Sequence, residues 1–190
     1  MNISITTDDR TARTCEECAF QRASNIAQLG ARTVLELCVG PSLRELERAY
    51  RQFNVEATGN DIDPRWQKYY PQGRWALGDA LRLSYEGYDA IVFAPPLTRG
   101  CTGTREDSLR VDEVNPSYES FIERFTQLPV GVTGVCVLPG RSLATREDRT
   151  STYGLMARTA KKGIVCNLMP LKAGRRQIVK YYDLVLRREG

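Results

Sequence analysis

"TVLELCVGPSLRELERAYRQFNVEATGNDIDP", residues 33–64, decides the fold. Its opening, "TVLELCV" (33–39), is a short apolar run bounded by glycine, as a buried strand requires. The period then changes. In "PSLRELERAYRQF" (41–53) Leu43, Leu46, Ala49, Tyr50 and Phe53 share one helical face, and Pro41 suits a first turn. "VEATGNDI" (55–62) returns to a strand and ends in a turn. A strand, a helix and a second strand in close succession imply parallel pairing, because antiparallel neighbours need only a tight turn.

The same alternation extends in both directions. Upstream, residues 11–29 carry helical spacing that stops at Gly30. Downstream, "PRWQKYY" (64–70) predicts a short helix, "RWALGDA" (74–80) a third strand and "YDAIVFA" (88–94) a fourth. "VNPSYESFIERFTQL" (114–128) predicts a helix opened at Pro116, "GVTGVCVLPG" (131–140) a fifth strand, and "TSTYGLMARTAKK" (150–162) a further helix. "GIVCNLMPL" and "RQIVKYYDLVLRRE" predict two last strands joined by a turn at 172–175, which makes them antiparallel. The expected fold is therefore α/β: a mostly parallel seven-stranded sheet, helices on both faces, and a C-terminal antiparallel hairpin. An N-terminal helical extension over 1–30 precedes a single domain over 31–190, with no repeat or linker to divide it.

The 190 residues, 42% hydrophobic and 26% charged, have the composition of a soluble globular domain. No apolar run approaches the ~20 residues of a membrane-spanning helix. "MNISITTDDR" lacks the basic-then-apolar build of a signal peptide, so a cytoplasmic location is expected. Six scattered cysteines read as reduced, partly buried thiols. The chain contains no histidine, which excludes a His-based triad, a His general base and every His-containing metal site. Proton transfer falls to Asp, Glu, Lys, Tyr or water. "CEEC" (15–18) has metal-like spacing but lacks a second pair, so it reads as one face of the N-terminal helix, and no metal is expected. Charge is uneven. The net value is +4, yet the segment from Arg141 onward carries twelve basic residues against four acids. That asymmetry suits an anionic partner such as a nucleic acid, the alternative being a solvated basic surface.

In an open parallel sheet, ligands bind outside the carboxyl ends of the strands. Four short motifs fall there in order. "ELCVGPS" (36–42) places Gly40 at a sharp turn, "GNDIDP" (59–64) places Asp61 at a strand end, and "GDA" (78–80) and "APP" (94–96) follow the next two strands. These motifs resemble those of the class I S-adenosylmethionine-dependent methyltransferases over residues 31–190. "VLELCVGPS" resembles that family's first motif, an acid followed by glycines, with Glu36 and Gly40 matching and Cys38 and Ser42 standing where glycine is usual. The resemblance implies S-adenosyl-L-methionine as cofactor. It assigns Asp61 to the ribose hydroxyls and Asp79 to the adenine amino group. Ile62 and Ala80, or Leu81, line the adenine pocket on this reading, with Glu36, Cys38 and Gly40 around the first loop. A nicotinamide enzyme is the rival, but "ELCVGPS" lacks its G-x-G-x-x-G spacing and the closing hairpin disfavours it.

"APPL" (94–97) resembles the Pro-Pro motif of the amino-group methyltransferases. Proline lacks an N–H and fixes φ, so Ala94, Pro95 and Pro96 would present carbonyl oxygens in a rigid frame to a substrate amine. Transfer from a sulfonium is an in-line displacement in which alignment supplies much of the catalysis. Two departures stand out. Ala94 replaces a polar residue and Leu97 an aromatic, which removes one acceptor and one base-stacking face. Two readings stay open here: a methyltransferase acting on a nucleic acid, small molecule or protein, and a non-catalytic binding protein that kept the fold. The long polar segment 97–110 reads as a lid or a solvated loop, with Arg99 and Arg105 as anion-binding candidates.

Overall fold

The computed structural model describes residues 15–40, 43–64, 67, 74–94 and 118–188. In chain order the elements are α1 (Glu16–Gln28), β1 (Thr33–Leu37), α2 (Leu43–Gln52), β2 (Glu56–Asp61), β3 (Trp75–Leu77) and β4 (Ala90–Phe93). There follow α3 (Tyr118–Phe125), β5 (Thr133–Pro139), a 3-10 turn (Gly140–Leu143), α4 (Arg146–Ala160), β6 (Ile164–Ala173) and β7 (Ile178–Arg188). They build one seven-stranded sheet in the order β3-β2-β1-β4-β5-β7-β6. β1 to β5 pair in parallel, and β7 inserts antiparallel between β5 and β6. This is the α/β architecture expected from the strand–helix alternation, with the closing hairpin in place.

Strand alternation divides the core into two layers. Val34, Ala90, Val92, Val135, Val137 and Val185 face one side, where α1 and α2 supply Ala19, Ala23, Ile26, Leu46, Ala49 and Tyr50. Leu35, Leu37, Ile91, Phe93, Cys136, Leu138, Leu184 and Leu186 face the other, against Phe121, Ile122 and Phe125 of α3 and Leu155 of α4. Phe93 stacks on Phe121 with centroids 4.7 Å apart. Each such fully buried side chain contributes about 1.5–3 kcal/mol. Because β1, β4 and β5 are covered on both sides, they read in sequence as continuous apolar runs.

Helix α1 is bound to the sheet by more than apolar packing. Arg22, 1% exposed, donates two hydrogen bonds to Asp183 Oδ1 (Nε at 3.2 Å, Nη2 at 2.9 Å) and one to Oδ2 (Nε at 3.0 Å). Gln21 brackets the Lys172 backbone, donating to its carbonyl at 2.6 Å and accepting from its N–H at 2.9 Å.

Three boundaries differ from the sequence expectation. α4 begins at Arg146 rather than Thr150, because Thr145 and Asp148 form a reciprocal capping box. The hairpin turn lies at 174–177 rather than 172–175, where Gly174 (φ 75°) and Gln177 (φ 49°) take left-handed conformations. β3 stops at Leu77, because Asp79 accepts from Leu81 N–H (2.9 Å) and its carbonyl from Arg82 N–H (2.9 Å), folding "GDAL" into a turn. The expected helical residues 11–14, 65–66, 68–70 and 114–117 lie outside the described residues.

Candidate active site

β1, β2, β3 and β4 all end on one edge of the sheet, which brings the first three motifs and Ala94 together. β1 gives way to Cys38, a non-glycine residue at φ 58°, and then to Gly40 at φ 52°. Val39 N–H donates to Asn60 O at 3.0 Å, keeping this turn against the end of β2. A Cβ built on Gly40 meets nothing within 4 Å, so the loop backbone borders open space. That suits a ligand lying against the main chain.

Asp61 is the hub of the edge. Its Oδ2 accepts from Gly40 N–H at 2.9 Å, its Oδ1 from Asp63 N–H at 2.9 Å, and its carbonyl from Gly78 N–H at 3.1 Å. Burial raises its pKa, and the N–H groups of Asp63 and Gly40 oppose that rise. Each carboxylate oxygen retains capacity for a further donor. Neighbouring Asn60 is fully buried and donates from Nδ2 to Ala76 O (2.8 Å) and Gly78 O (2.9 Å), latching β2 to the turn after β3.

Asp79 sits across that turn, its side chain 43% exposed and 3.4 Å from Arg82 Nε. Ile62 and Leu77, the latter register partner of Asp61, are 63% and 53% exposed. An open apolar surface therefore lies beside the two acids. Ala80 has a different position from Asp79. It is buried in the core, and its carbonyl accepts from Tyr85 OH at 2.8 Å.

Glu36 is wholly buried on the α1–α2 side, where Tyr50 OH donates to its Oε1. Its Oε2 has no hydrogen-bond partner among the described residues. Burial pushes the Glu36 pKa up, while the nearby Arg22 charge and the Tyr50 hydroxyl oppose it. The Cys38 thiol is pushed up to about 12, first by burial and then by the charges of Asp61 and Asp79. It is a protonated thiol and not a nucleophile at neutral pH. Ala94 is half-buried and donates its N–H to Leu37 O at 3.3 Å. Pro95 and Pro96 lie outside the described residues, as do Pro41, Ser42, Leu97, Arg99 and Arg105.

Sequence reasoning did not single out Asn60, Leu77, Arg22 or Asp183, and it read Tyr50 only as part of an apolar face. Asn60 and Leu77 stand inside or beside quoted motifs, and position was their signal. Arg22 and Asp183 are 161 residues apart, with no local pattern to link them.

The basic C-terminal third divides in two. β7 pairs with β5 from Thr133↔Arg187 to Pro139↔Tyr181, so the hairpin turn lies on the same edge as Gly40 and Asp61. It runs three residues beyond the last β5 pair, about 10 Å at strand rise. Lys172, Arg175, Arg176 and Lys180 are all exposed there. Arg187 and Arg188 lie at the opposite edge. Arg158 and Lys162 are paired with Glu119 (2.8 Å) and Glu123 of α3.

No family model matches the chain, and no curated protein does. Solved structures do. The methyltransferase domain of the bacterial protein CtHen1-C is 14% identical, with a TM-score of 0.60 over 92% of this chain and 98% of that one. The plantazolicin methyltransferase BpumL, solved with a substrate analogue and S-adenosylhomocysteine, is 12% identical, with a TM-score of 0.57 over 93% and 86%. The N-methyltransferase NodS from Bradyrhizobium japonicum WM9, in complex with S-adenosyl-L-homocysteine, is 14% identical, with a TM-score of 0.52 over 90% and 87%. At such identities the likeness is one of architecture, and it shows that this chain has the Rossmann-like methyltransferase fold.

Proposed function

We propose that the chain is an S-adenosyl-L-methionine-dependent methyltransferase acting on a nucleic acid. The observation that carries the first part is Asp61. It is a carboxylate at the end of β2, tied to the Gly40 N–H and facing open backbone on one side and exposed apolar surface on the other. The residues present fit a nucleoside bearing an amino-acid arm. Asp61 takes the ribose hydroxyls, Asp79 the adenine amino group, and Ile62 with the Ala80 backbone the base. Cys38 and Gly40 line the arm with their main chain, and Glu36 supports that loop from beneath. When bound, the cofactor supplies a methyl group on a sulfonium. The chain's own part is to hold donor and acceptor in line. Ala94 ends β4 between the cofactor residues and the Pro95-Pro96 segment, so that segment's carbonyls are the acceptor-orienting groups.

The second part, a nucleic acid, is supported by Lys172, Arg175, Arg176 and Lys180 standing on the site's own edge. One observation favours another reading: Ala94 contributes no polar acceptor. That suits an acceptor other than an exocyclic base amine, a small molecule or peptide included, or a non-catalytic binding protein. BpumL, of the same fold, was solved with a triazolic desmethylPZN analogue and S-adenosylhomocysteine.

Calorimetry with S-adenosylmethionine tests the cofactor, and transfer of a tritiated methyl to total RNA, DNA and protein tests the acceptor. Nucleic-acid binding should weaken with salt at a log–log slope of about −0.9 per duplex phosphate neutralised. Replacing Arg175 and Arg176 together should flatten that slope. Cofactor binding with no labelled product supports the non-catalytic reading, and label only in protein or small molecules overturns the nucleic-acid assignment.

A further inference from the structure

Sequence spacing alone made "CEEC" a helix face, and among the described residues no group of three or more His, Cys, Asp or Glu side chains is placed to hold a metal. The two cysteines are nevertheless more than neighbours in sequence. Cys15 is the N-cap of α1, with extended backbone (φ −66°, ψ 152°), and its side chain makes no capping hydrogen bond. Cys18 lies in the first turn, fully buried against Leu171 and Ala173 of β6, and Cys15 packs half-buried on the same cluster. Both side chains therefore meet on one small apolar cluster at the head of α1. Residues three apart on a helix have Cα atoms about 5 Å apart, within the range of roughly 4.4–6.8 Å that a disulfide spans. The spacing is compatible with a disulfide across the first turn of α1.

The thiols also differ in accessibility. Burial pushes Cys18 up to about 12, with the Cys15 contact adding to it. Cys15 heads the helix and is only half-buried, so its sulfur is the more accessible of the two. The intervening acids are drawn elsewhere. Glu16 pairs with Arg48 at 3.4 Å, and Glu17 accepts from Gly174 N–H. Neither carboxylate is committed to the thiol pair.

We propose that Cys15 and Cys18 form a redox-active dithiol, a modification site whose attacking thiol is Cys15 and whose resolving thiol is Cys18. With a peroxide as oxidant, the Cys15 thiolate attacks one oxygen and breaks the O–O bond, giving a sulfenic acid and hydroxide, which takes up a proton as water. The Cys18 sulfur then attacks the Cys15 sulfur, the S–O bond breaks, and hydroxide leaves with the Cys18 proton as a second water. With oxidised glutathione, Cys15 forms a mixed disulfide and releases one glutathione. Cys18 displaces the other. Either route oxidises two thiols to one disulfide. The dithiol stands next to the basic hairpin. The first turn of α1 holds Gly174 through Glu17, and the next holds Lys172 through Gln21.

The test uses the full chain equilibrated in a series of reduced and oxidised glutathione buffers, with free thiols then alkylated and the protein digested with trypsin. The peptide Thr14–Arg22 contains these two cysteines and no other. It should lose both alkylation sites together, become lighter by its two thiol hydrogens, and recover both on reduction. In Cys18→Ser, Cys15 should instead accumulate a glutathione mixed disulfide. In Cys15→Ser, the buried Cys18 should stay free. If the native peptide remains doubly alkylated in the most oxidising buffer in which circular dichroism still shows a folded protein, the proposal fails. Independent capture of one glutathione on each cysteine would overturn it equally.

Discussion

Asp183→Ala is the most exacting test of how α1 is held. The substitution leaves the Arg22 guanidinium in the core without its main partner. The two side chains are 1% and 3% exposed, and three donor–acceptor distances between 2.9 and 3.2 Å are lost at once. Removing one member of a buried ion pair costs about 3–5 kcal/mol, because the survivor is an uncompensated buried charge. Arg22 retains a second acid, Glu36, whose charge also acts on it. The expected loss is therefore at the lower end, about 3 kcal/mol. For a chain of this size each kcal/mol moves the Tm by about 2–4 °C, so the transition should fall by about 6–12 °C. Urea unfolding followed by far-UV circular dichroism measures the free energy directly. Arg22→Met with Asp183→Leu removes both charges, and should return to within about 1 kcal/mol of the native protein or exceed it. A loss below about 1 kcal/mol in Asp183→Ala would refute the reasoning. It would mean that Arg22 escapes to water and that α1 is not seated on β7.

Three further outcomes follow from other residues. Asp61→Ala should lower S-adenosylmethionine affinity by about 1.5–3 kcal/mol, roughly ten- to over a hundredfold in Kd; calorimetry showing unchanged affinity removes the ribose assignment. Glu36→Gln should flatten the pH dependence of stability. The folded pKa of Glu36 is raised, chiefly by burial. Native stability should therefore fall as pH rises from the unfolded value, about 4.3, through the folded one. The glutamine variant should lack that slope in urea titrations across the window. Thr145→Ala should destabilise by about 0.5–2 kcal/mol through loss of the α4 capping box, read as a lower urea midpoint at unchanged slope.

The fold was legible because its signals are local and repeated. Val34, Leu35, Leu37, Ile91, Val92 and Phe93 are buried on both sheet faces, so β4 showed as an unbroken apolar run and β1 as one interrupted only by Glu36. The α2 stripe was equally plain. What escaped were ends set by side-chain chemistry. Thr145 and Asp148 extend α4, and the Asp79 turn cuts β3 short, in each case by hydrogen bonds that hydrophobic period does not report. For the candidate site, position relative to strand ends is what singled out Gly40, Asp61 and Asp79. It could not show that Ala80 is turned into the core by Tyr85, or that Glu36 is sealed beneath Tyr50. Those facts depend on packing between elements far apart in sequence.

Cys38 shows what such a departure from a glycine motif changes and what it keeps. Left-handed backbone costs an L-residue roughly 1–2 kcal/mol, and glycine is the usual occupant for that reason. The chain nevertheless holds Cys38 at φ 58° and carries Gly40 on to its bond with Asp61. The turn is therefore over-determined by its neighbours. Val39 is fixed to Asn60, Gly40 to Asp61, and Asn60 in turn to Ala76 and Gly78. Three strand ends, those of β1, β2 and β3, are tied into one frame by backbone donors and two side chains. The left-handed backbone at Cys38 is held without a glycine, and a side chain fills the space beside it. There a protonated thiol stands between two acids and the Phe93 side of the core. On the function proposed above, the cofactor would meet a thiol beside Asp61 where an all-glycine loop offers none. On the same reading, that thiol and the apolar Ala94 after β4 leave recognition of the acceptor to other groups on this edge, the exposed cations of the hairpin being the proposed ones.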